Sequence, residues 1–408
     1  MATIKPFCAI RPTRDKAALV ASRSYISYSK ESLDDKLSTN PYTFLHIINP
    51  STANDDSTSH HFDKFNLIKS KFNDFLEEGI LQKDQQKQFY IYQKIKANGL
   101  IFNGIVGAAS VDDYLNQRIK RHEQTIEKRE KLFKDYLKMT GFNAEPVLLT
   151  YPNHTAIDAI IESYTNQRAE YEFTTTDQDT HKLWLVHDKM TIQQISDSFS
   201  EIDHLYIADG HHRFASSALL YQEHDTLTNN NAYCMSYLVG ENQIQCLNFN
   251  RLVKDLNTMS SQDFISKVSE RFTVQPVETV YQPQEKDELS MYCDGQWYSL
   301  IVKEKYVNRH DSVEKLDPSI LNYTILHPIL NIVNPRTDKR ISYVEGNVPL
   351  EHLQSKIDLK EFAVAFVLKP ISIQQIMEVA NDNKTMPPKS TYIQPKLRSG
   401  MLIYDLDQ

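Results

Sequence analysis

Short apolar runs alternate with amphipathic segments through the middle of the chain. The runs PVLLTY (146–151), KLWLVHD (182–188) and HLYIA (204–208) have the length and the β-favouring content of buried strands. Each run is followed by a segment whose apolar residues recur three and four positions apart, which is typical of a helix that packs on one face. Strands that alternate with helices in this way predict an α/β unit.

The residues before this unit predict a hairpin and one long helix. Two strands between residues 86 and 110 are joined through Asn98-Gly99, a dipeptide that favours hairpin turns. Ser110 with Asp113 three residues later is typical of a helix N-terminus. Apolar residues at spacings of four and three continue to about Lys138. We therefore predict a single long helix from Ser110 onward.

After residue 260 the pattern becomes richer in strands. A second hairpin has Asp294-Gly295 at its turn, and FAVAFVL (362–368) is typical of a buried strand. The predicted fold class is therefore mixed, α/β with α+β character. Three segments are expected, namely an N-terminal α/β segment with the long helix (1–140), an α/β core (141–260) and a β-rich C-terminal portion (261–408).

Composition restricts the class of protein further. The 408 residues carry a formal net charge of −8, with 40% hydrophobic and 24% charged residues. These fractions are typical of a globular protein with a large core, and the acidic balance weighs against general nucleic-acid binding. The four cysteines are scattered without a C-x-x-C pair, so neither a zinc site nor a disulfide framework is indicated.

No stretch of the sequence approaches the roughly 18 apolar residues of a membrane span. The N-terminus lacks the apolar region of a secretion signal. We therefore expect a cytoplasmic protein that does not contact membranes. Nothing in the sequence indicates the oligomeric state.

The stretch Asp209-Gly210-His211-His212-Arg213 lies where the third apolar run changes into a helix. With Asp209 or Gly210 as N-cap, the first-turn amides would face outward at the positive end of the helix dipole, which favours anions and especially phosphate. Gly210 would let the backbone approach the ligand, and Arg213 adds a planar donor fork. Helix capping alone would explain Asp209 and Gly210, but it leaves both histidines and Arg213 unexplained. We therefore predict an anion site.

A second charged stretch, MPPKSTYIQPKLRSG, lies near the C-terminus at residues 386–400. Its cations and hydroxyl groups stand between prolines, which stiffen the backbone and lower the entropic cost of presenting them. The side chains predicted to bind oxyanions here are Lys389, Ser390, Lys396 and Arg398. The C-terminal portion is expected to pack on the same site as the turn at 209–213.

Five stretches of the sequence carry a resemblance to a known family. They are SVDDY (110–114), IKRHEQT (119–125), YIADGHHRFASSAL (206–219), NPRTDKRISYVEG (334–346) and MPPKSTYIQPKLRSG (386–400). In these stretches, which occur in family order over nearly the whole chain, the sequence resembles the domain of unknown function 1015 family. One departure is SRSYISYS (22–29), which stands where the family usually has a Pro-Pro-Tyr-Asp segment.

The Asp-Gly-His-His-Arg turn is also similar to the phosphate-binding motif of the ParB/sulfiredoxin fold, a group that includes free serine kinases. This resemblance implies a ParB/sulfiredoxin-like nucleotide-binding core. It also implies a phosphotransferase that acts on a small hydroxyl metabolite, possibly free L-serine, with ATP or ADP and Mg²⁺ as cofactors. The expected partners are a small-molecule substrate and a nucleotide, with no nucleic acid and no membrane.

The hypothesis gives each charged residue a role in phosphoryl transfer, which needs positioned positive charge more than covalent chemistry. His211 and Arg213 would stabilise the transferring oxygens, and Asp209 would hold Mg²⁺ or orient the acceptor hydroxyl. Glu123 is a candidate base, with a solvated helix carboxylate as the alternative reading. The nucleotide would be bound by Gly210, His212, Lys389, Ser390, Lys396 and Arg398.

Two other functions stay open at this point. A phosphoester hydrolase would bind a phosphorylated metabolite such as phosphoserine at the same anion site, and water would attack it. A ParB-like nucleotide-binding or sensing module would bind without turnover. The sequence contains no P-loop, protein-kinase loop or G-x-G-x-x-G motif, so the common nucleotide folds do not explain the pattern.

Overall fold

A computed structural model describes residues 2–49, 58–223 and 229–407, and the chain divides into two compact units. The first unit comprises Met1–Lys120, Thr125–Ile244 and Pro395–Gln408. The second unit comprises Arg121–Gln124 and Gln245–Gln394. Within the described ranges, no helix combines the length and the apolar composition that crossing a bilayer requires.

The strands are numbered in chain order. They are β1 (Ile4–Lys5), β2 (Ala9–Pro12), β3 (Leu81–Lys83), β4 (Phe89–Ile95), β5 (Ile101–Ser110), β6 (Ile119–Lys120), β7 (Phe142–Asn143), β8 (Val147–Tyr151), β9 (Tyr171–Thr174), β10 (Thr180–Val186), β11 (Leu205–Asp209), β12 (Tyr233–Gly240), β13 (Gln245–Leu247), β14 (Phe249–Val253), β15 (Phe272–Val277), β16 (Glu288–Cys293), β17 (Gln296–Val302), β18 (Ile341–Glu345), β19 (Val364–Leu368), β20 (Tyr392–Gln394) and β21 (Ile403–Asp405).

The α-helices are numbered in the same way. They are α1 (Ala17–Val20), α2 (Lys30–Thr39), α3 (Leu45–Ile48), α4 (Thr58–Glu77), α5 (Val111–Leu115), α6 (Glu127–Thr140), α7 (Thr155–Thr165), α8 (Lys189–Ser200), α9 (His211–Gln222), α10 (Ser261–Ser269), α11 (Asp317–Leu321), α12 (Leu350–Asp358) and α13 (Ile373–Asn381).

The first unit is built on a nine-stranded sheet with the order β6-β11-β8-β12-β5-β4-β10-β9 and with β1 paired to β5. Among the described residues, the β6–β11 and β8–β12 pairs of this sheet are parallel and its other pairs are antiparallel, so it is a mixed sheet. One apolar core joins the sheet to α7, α8 and α9, through side chains such as Ile157, Phe199 and Phe214. The predicted mixed α/β class is thereby confirmed, and so is the alternation of strands and helices between β8 and α9.

A second, four-stranded sheet of the first unit brings the C-terminus back to the N-terminal half. Its order is β3-β2-β21-β7, and Tyr404 of β21 lies opposite Ala9 on one side and Asn143 on the other. Its core contains Phe72 of α4 and Phe142 of β7, whose rings stack with centroids 4.2 Å apart. The pairing of β21 ties residues 395–408 to the first unit, although the preceding 150 residues belong to the second.

The second unit contains an antiparallel six-stranded sheet with the order β15-β17-β16-β19-β14-β18, and a separate β13–β20 pair. Side chains alternate between its two faces, as strand geometry requires. Val253 of β14 enters the core that includes α10 and α11, whereas Leu252 enters the core that includes α12. The strand-rich character predicted after residue 260 is present in this unit.

Both predicted hairpin turns are confirmed. β4 and β5 pair antiparallel on either side of Asn98-Gly99, and Gly99 has φ +83°. β16 and β17 pair on either side of Asp294-Gly295, where φ is +51° and +79°. Two consecutive positive φ values match the right-handed twist of the flanking strands, which explains the preference for Asp-Gly there.

The single long helix predicted from Ser110 is wrong. Ser110 does cap a helix, since its Oγ accepts a hydrogen bond from the Asp113 amide, but α5 ends at Leu115. Gln117 has φ +58°, a left-handed conformation that a continuous helix cannot contain. Ile119 then pairs with Leu205 in the large sheet and is buried in its core. Burial of an apolar residue as a strand therefore outweighs the helical spacing.

The three predicted segments and the two units have different boundaries. The predicted boundary at residue 140 falls inside the first unit, between α6 and β7. The boundary at residue 260 falls inside the second unit, where Ser260 caps α10. Pairing between strands that are distant in sequence sets the units, whereas the predicted boundaries followed local composition.

The close packing of β5 against β12 gives a test of this sheet. A Cβ at Gly104 would lie 2.5 Å from the carbonyl oxygen of Leu238 and 2.6 Å from Cε2 of Tyr237. Because backbone and a buried ring cannot move aside easily, Gly104→Ala should lower the free energy of unfolding by about 1–3 kcal/mol. Urea denaturation measures this loss.

Gly240→Ala is the matched control for this measurement. A Cβ there would lie 3.1 Å from Asn242 Oδ1, the end of a side chain that can rotate away. We expect a smaller loss of stability than for Gly104→Ala. Equal losses in the two variants would contradict the packing argument.

Candidate functional site

The turn between β11 and α9 places a glycine at the helix N-terminus. Gly210 is the N-cap residue with φ +96°, and it has no side chain that could cap the first turn. A Cβ at this position would lie 2.9 Å from Nε of Arg213, so glycine serves both the left-handed turn and the close approach of the guanidinium. Asp209 does not occupy the N-cap position of its own helix.

Asp209 instead accepts hydrogen bonds from two cations. Arg213 Nη2 lies 2.6 Å from Oδ2 of Asp209, and Lys396 Nζ lies 3.2 Å from Oδ1. Arg213 is one helical turn away, whereas Lys396 comes from the segment that β21 returns to the first unit. The structure therefore brings the turn and one cation of the C-terminal stretch together.

The electrostatics of this pairing keep Asp209 charged. Burial opposes ionisation of the carboxyl group, but Lys396 and then Arg213 overcome it, and the pKa of Asp209 lies below its ordinary value. The side chains of Asp209 and Arg213 keep about 30% and 27% of their surface exposed, so a ligand in solution can reach them. Two reachable cations beside a helix N-terminus form an arrangement that suits an oxyanion.

Glu145 belongs to the same cluster and was missed at the sequence level. Its Oε2 lies 3.7 Å from Nη1 of Arg213, and its Oε1 accepts a hydrogen bond from Ser399 Oγ at 2.9 Å. Arg213 Nη1 also donates to the carbonyl oxygen of Pro146 at 2.7 Å. The available signal was a carboxylate directly before a buried strand, where polar side chains collect at a sheet edge. The two carboxylates hold Arg213 in a fixed orientation.

Arg398 has other partners, although it was predicted to bind nucleotide beside Lys396. Its Nη2 donates to Asp177 at 2.7 Å and to Thr175 at 3.1 Å. Only 6% of Arg398 is exposed. The buried guanidinium of Arg398 therefore pairs with a partly exposed carboxylate and ties the C-terminal stretch to the loop between β9 and β10.

His181 lies next to this ion pair and is fully buried. Its Nδ1 lies 2.6 Å from the Tyr92 hydroxyl, and its Nε2 lies 3.4 Å from Nε of Arg398. Burial, reinforced by Arg398 and Lys94, lowers the pKa of His181 to about 3. Because Nε2 must accept from Arg398, the single proton lies on Nδ1 and is donated to Tyr92.

The remaining predicted residues have different positions. His211 is buried as the first residue of α9, and His212 accepts a hydrogen bond at Nε2 from the Ile126 amide at 3.0 Å. Glu123 lies between β6 and α6 and not on a helix as predicted, because the long helix does not form. Glu123, Lys389 and Ser390 all belong to the second unit.

Comparison with known families decides the family of the chain. The model of a family described as a protein of unknown function, DUF1015, matches residues 4–319. The chain belongs to the DUF1015 family. The resemblance identified from the sequence motifs is thereby confirmed, and curated proteins give no match.

Solved structures that resemble this DUF1015 chain have low similarity scores. A free serine kinase variant in complex with AMP is 13% identical, with 74% of this chain and 92% of that chain covered and a TM-score of 0.37. SbnI with a C-terminal truncation from Staphylococcus aureus is 13% identical, with 72% and 85% covered and a TM-score of 0.39. A conserved hypothetical protein from Pyrococcus furiosus is 14% identical, with 73% and 95% covered and a TM-score of 0.35. TM-scores this low carry no argument about activity.

The buried His181 predicts how the stability of this DUF1015 protein depends on pH. In the unfolded chain the histidine has its ordinary pKa of about 6.5, against about 3 in the folded protein. Between these values only the unfolded chain binds the proton, so stability is lost as the pH falls below about 6.5. The contribution of His181 to this loss is about 1.4 kcal/mol for each pH unit.

His181→Gln should therefore flatten the pH dependence of the free energy of unfolding between about pH 6 and pH 4. Urea denaturation at several pH values measures it. His187→Gln, at an exposed histidine, is the control and should keep the slope of the unchanged protein. Parallel curves for His181→Gln and the unchanged protein would contradict the assigned protonation of His181.

Proposed function

We propose that this DUF1015 protein is a phosphotransferase that acts on a small hydroxyl metabolite, with ATP or ADP as the phosphoryl donor. The observation that carries the proposal is the pairing of Arg213 and Lys396 with Asp209 at the N-terminus of α9. Phosphoryl transfer is accelerated chiefly by positioned positive charge and by alignment. A helix N-terminus flanked by two fixed cations supplies both.

Each residue of the cluster then has a distinct task. Gly210 lets the phosphate approach the first-turn amides of α9. Arg213 and Lys396 would exchange part of their bonding to Asp209 for bonds to phosphate oxygens. Glu145, which contacts Arg213, keeps the guanidinium oriented while this exchange takes place. Asp209, ionised and partly released, would accept a hydrogen bond from the acceptor hydroxyl and orient it.

The side chains around Asp209 do not favour direct binding of Mg²⁺ by its carboxylate. Mg²⁺ prefers carboxylate oxygens and water in octahedral geometry, but each oxygen of Asp209 already contacts a cation. A metal ion there would be repelled by Arg213 and Lys396. We therefore assign Mg²⁺ no protein ligand at Asp209 and include it in the assay only as the ion that accompanies the nucleotide.

The choice of acceptor comes from the sequence of the turn. Asp-Gly-His-His-Arg is similar to the phosphate-binding turn of free serine kinases, so free L-serine is the first acceptor to test. This similarity concerns the phosphate site and says little about the acceptor pocket. Two alternative functions are hydrolysis of a phosphorylated metabolite and nucleotide binding without turnover. Measurements of binding and of turnover distinguish them from the phosphotransferase.

Removal of one cation tests the phosphate site. Arg213→Ala should weaken the binding of ATP, ADP or phosphoserine by about 1.5–3 kcal/mol, or about ten- to a hundredfold, because a charge-assisted hydrogen bond is lost. Isothermal titration calorimetry measures the affinity. Arg129→Ala, at an exposed arginine of α6, is the control and should bind as the unchanged protein does. Unchanged affinity in a folded Arg213→Ala protein would contradict the phosphate site.

Turnover separates the three functions. The protein is incubated with Mg²⁺, L-serine and either ATP or ADP, and O-phosphoserine is detected by mass spectrometry. Asp209→Asn keeps the shape of the side chain but removes its charge, so turnover should fall far more than nucleotide affinity does. Asp197→Asn, at an exposed carboxylate of α8, should leave both unchanged.

Other outcomes of this assay would contradict the phosphotransferase and support one of the two alternative functions. Hydrolysis of phosphoserine without phosphorylation of any of a panel of hydroxyl metabolites would identify a phosphoester hydrolase. Nucleotide binding without either reaction would identify a sensing module.

A further inference from the structure

Arg251 in the second unit is a buried cation whose charge no carboxylate balances. It lies in the middle of β14 and only 3% of it is exposed. Among the residues that the structure describes, no Asp or Glu oxygen lies within ion-pair distance of its guanidinium. A buried arginine is normally paired, since an unpaired charge in the protein interior is costly. This position therefore needs an explanation.

The hydrogen bonds of Arg251 leave part of its guanidinium available. Nη1 donates to the carbonyl oxygen of Phe249, and Nη2 donates to the carbonyl oxygen of Lys389 at 2.9 Å. A guanidinium has five N–H donors, and the others have no acceptor in the described part of the chain. Carbonyl oxygens are partial charges only, so the positive charge is not neutralised. Burial accordingly lowers the pKa of Arg251 to about 10, which still leaves it charged at neutral pH.

A second cation lies next to Arg251 on a strained segment. Lys389 has φ +56°, a left-handed conformation that is uncommon for a residue with a side chain. Its Nζ lies over the ring of Phe249 at 5.0 Å from the centroid, and no carboxylate within the described residues pairs with it. The turn is fixed by Ser390, whose Oγ donates to the carbonyl oxygen of Pro387 at 2.7 Å. Strained backbone of this kind is concentrated at binding sites.

Tyr343 connects these two cations to a third. The guanidinium of Arg251 lies over its ring at 4.5 Å from the centroid, and the two residues are opposite each other in the β14–β18 pair. The Tyr343 hydroxyl donates to the carbonyl oxygen of Pro335 at 2.8 Å, which places the next residue, Arg336, near the same ring. Glu345 is the carboxylate of β18 that lies opposite Phe249, and it makes no ion pair with any of the three cations. Arg251, Lys389 and Arg336 thus each lie in or beside β14 or β18, and within the described residues none of them has a carboxylate at ion-pair distance.

We propose that the second unit carries an oxyanion site, in which Arg251, Lys389 and Arg336 bind the phosphate or carboxylate group of a small acidic metabolite. Arg251 supplies a planar fork suited to either group, and the two exposed cations attract it. The site uses residues of the segments 334–346 and 386–394, which the phosphotransferase cluster of the first unit leaves without a role. It does not depend on the proposed phosphotransferase activity.

The competing explanation is that Arg251 only ties the turn of Lys389 to β14. That explanation predicts a loss of stability on substitution but no anion binding in the second unit. The experiment therefore measures binding in the full-length Arg213→Ala protein, so that the turn at 209–213 contributes little. Inorganic phosphate and citrate are titrated separately by isothermal titration calorimetry, at constant ionic strength set with chloride. The two arms distinguish a phosphate ligand from a carboxylate ligand.

Saturable binding of at least one of these anions is expected. Lys389→Gln, added to the same background, should weaken it by about tenfold, the usual effect of losing one charge-assisted hydrogen bond. Lys360→Gln is the matched control, since Lys360 is also exposed, has φ +58° and has no ion-pair partner in the described residues. This control should bind as the background protein does.

Arg251→Lys provides a second variant that keeps the buried charge but removes the planar fork. It should weaken anion binding while the protein still unfolds cooperatively in urea. Absence of saturable binding by both anions would overturn the proposal. Equal affinities of the Lys389→Gln and Lys360→Gln proteins would overturn it too, and Arg251 would then be a structural residue.

Discussion

The ionised carboxylate of Asp209, bonded by Arg213 on one oxygen and Lys396 on the other, is the interaction on which the candidate site depends. Burial opposes this charge, but the two cations outweigh burial and hold the pKa of Asp209 below its ordinary value. Lys396 reaches it because β21 pairs with β2 and β7, which returns the chain to the first unit. The site is therefore coupled to the completion of the four-stranded sheet.

Nearby charges in the first unit serve different purposes. Arg398, which is almost fully buried, pairs with the partly exposed carboxylate of Asp177 beside His181, which burial keeps neutral. A buried cation bonded in this way ties separate segments of the chain together. The cluster around Asp209 differs, since its cations remain partly exposed and can transfer their bonds to a ligand. Exposure and available donors, and not charge alone, separate a binding site from a structural ion pair.

In the second unit, a buried cation lacks a carboxylate partner among the described residues. Arg251 is buried, yet its hydrogen-bond acceptors in the described residues are carbonyl oxygens, and its guanidinium lies over a tyrosine ring instead of beside a carboxylate. In a chain with a net charge of −8, cations without counter-charges are not a result of general composition. Each unit thus contains cationic side chains that the fold keeps in fixed positions. In the first unit carboxylates bind these cations, and in the second unit backbone carbonyl oxygens and aromatic rings contact them.

Local features of the chain could be predicted from its sequence alone. The turn at Gly210, the strand before it, the helix after it and the hairpin at Asp294-Gly295 all follow from rules that act over a few residues. The helix predicted through Ile119 failed, because pairing with β11, more than 80 residues away, outweighed the local pattern.

The partners of the charged residues were likewise decided by tertiary structure. Lys396 and Arg398 are two residues apart and look equivalent in the sequence, yet one contacts Asp209 and the other Asp177. Glu145 gave almost no sequence signal, because its contact with Arg213 joins residues 68 positions apart in the chain. Spacing along the sequence determines which side chains share a turn or a strand. Only the register of distant strands determines which cation meets which carboxylate, since that register sets the distances over which charges interact.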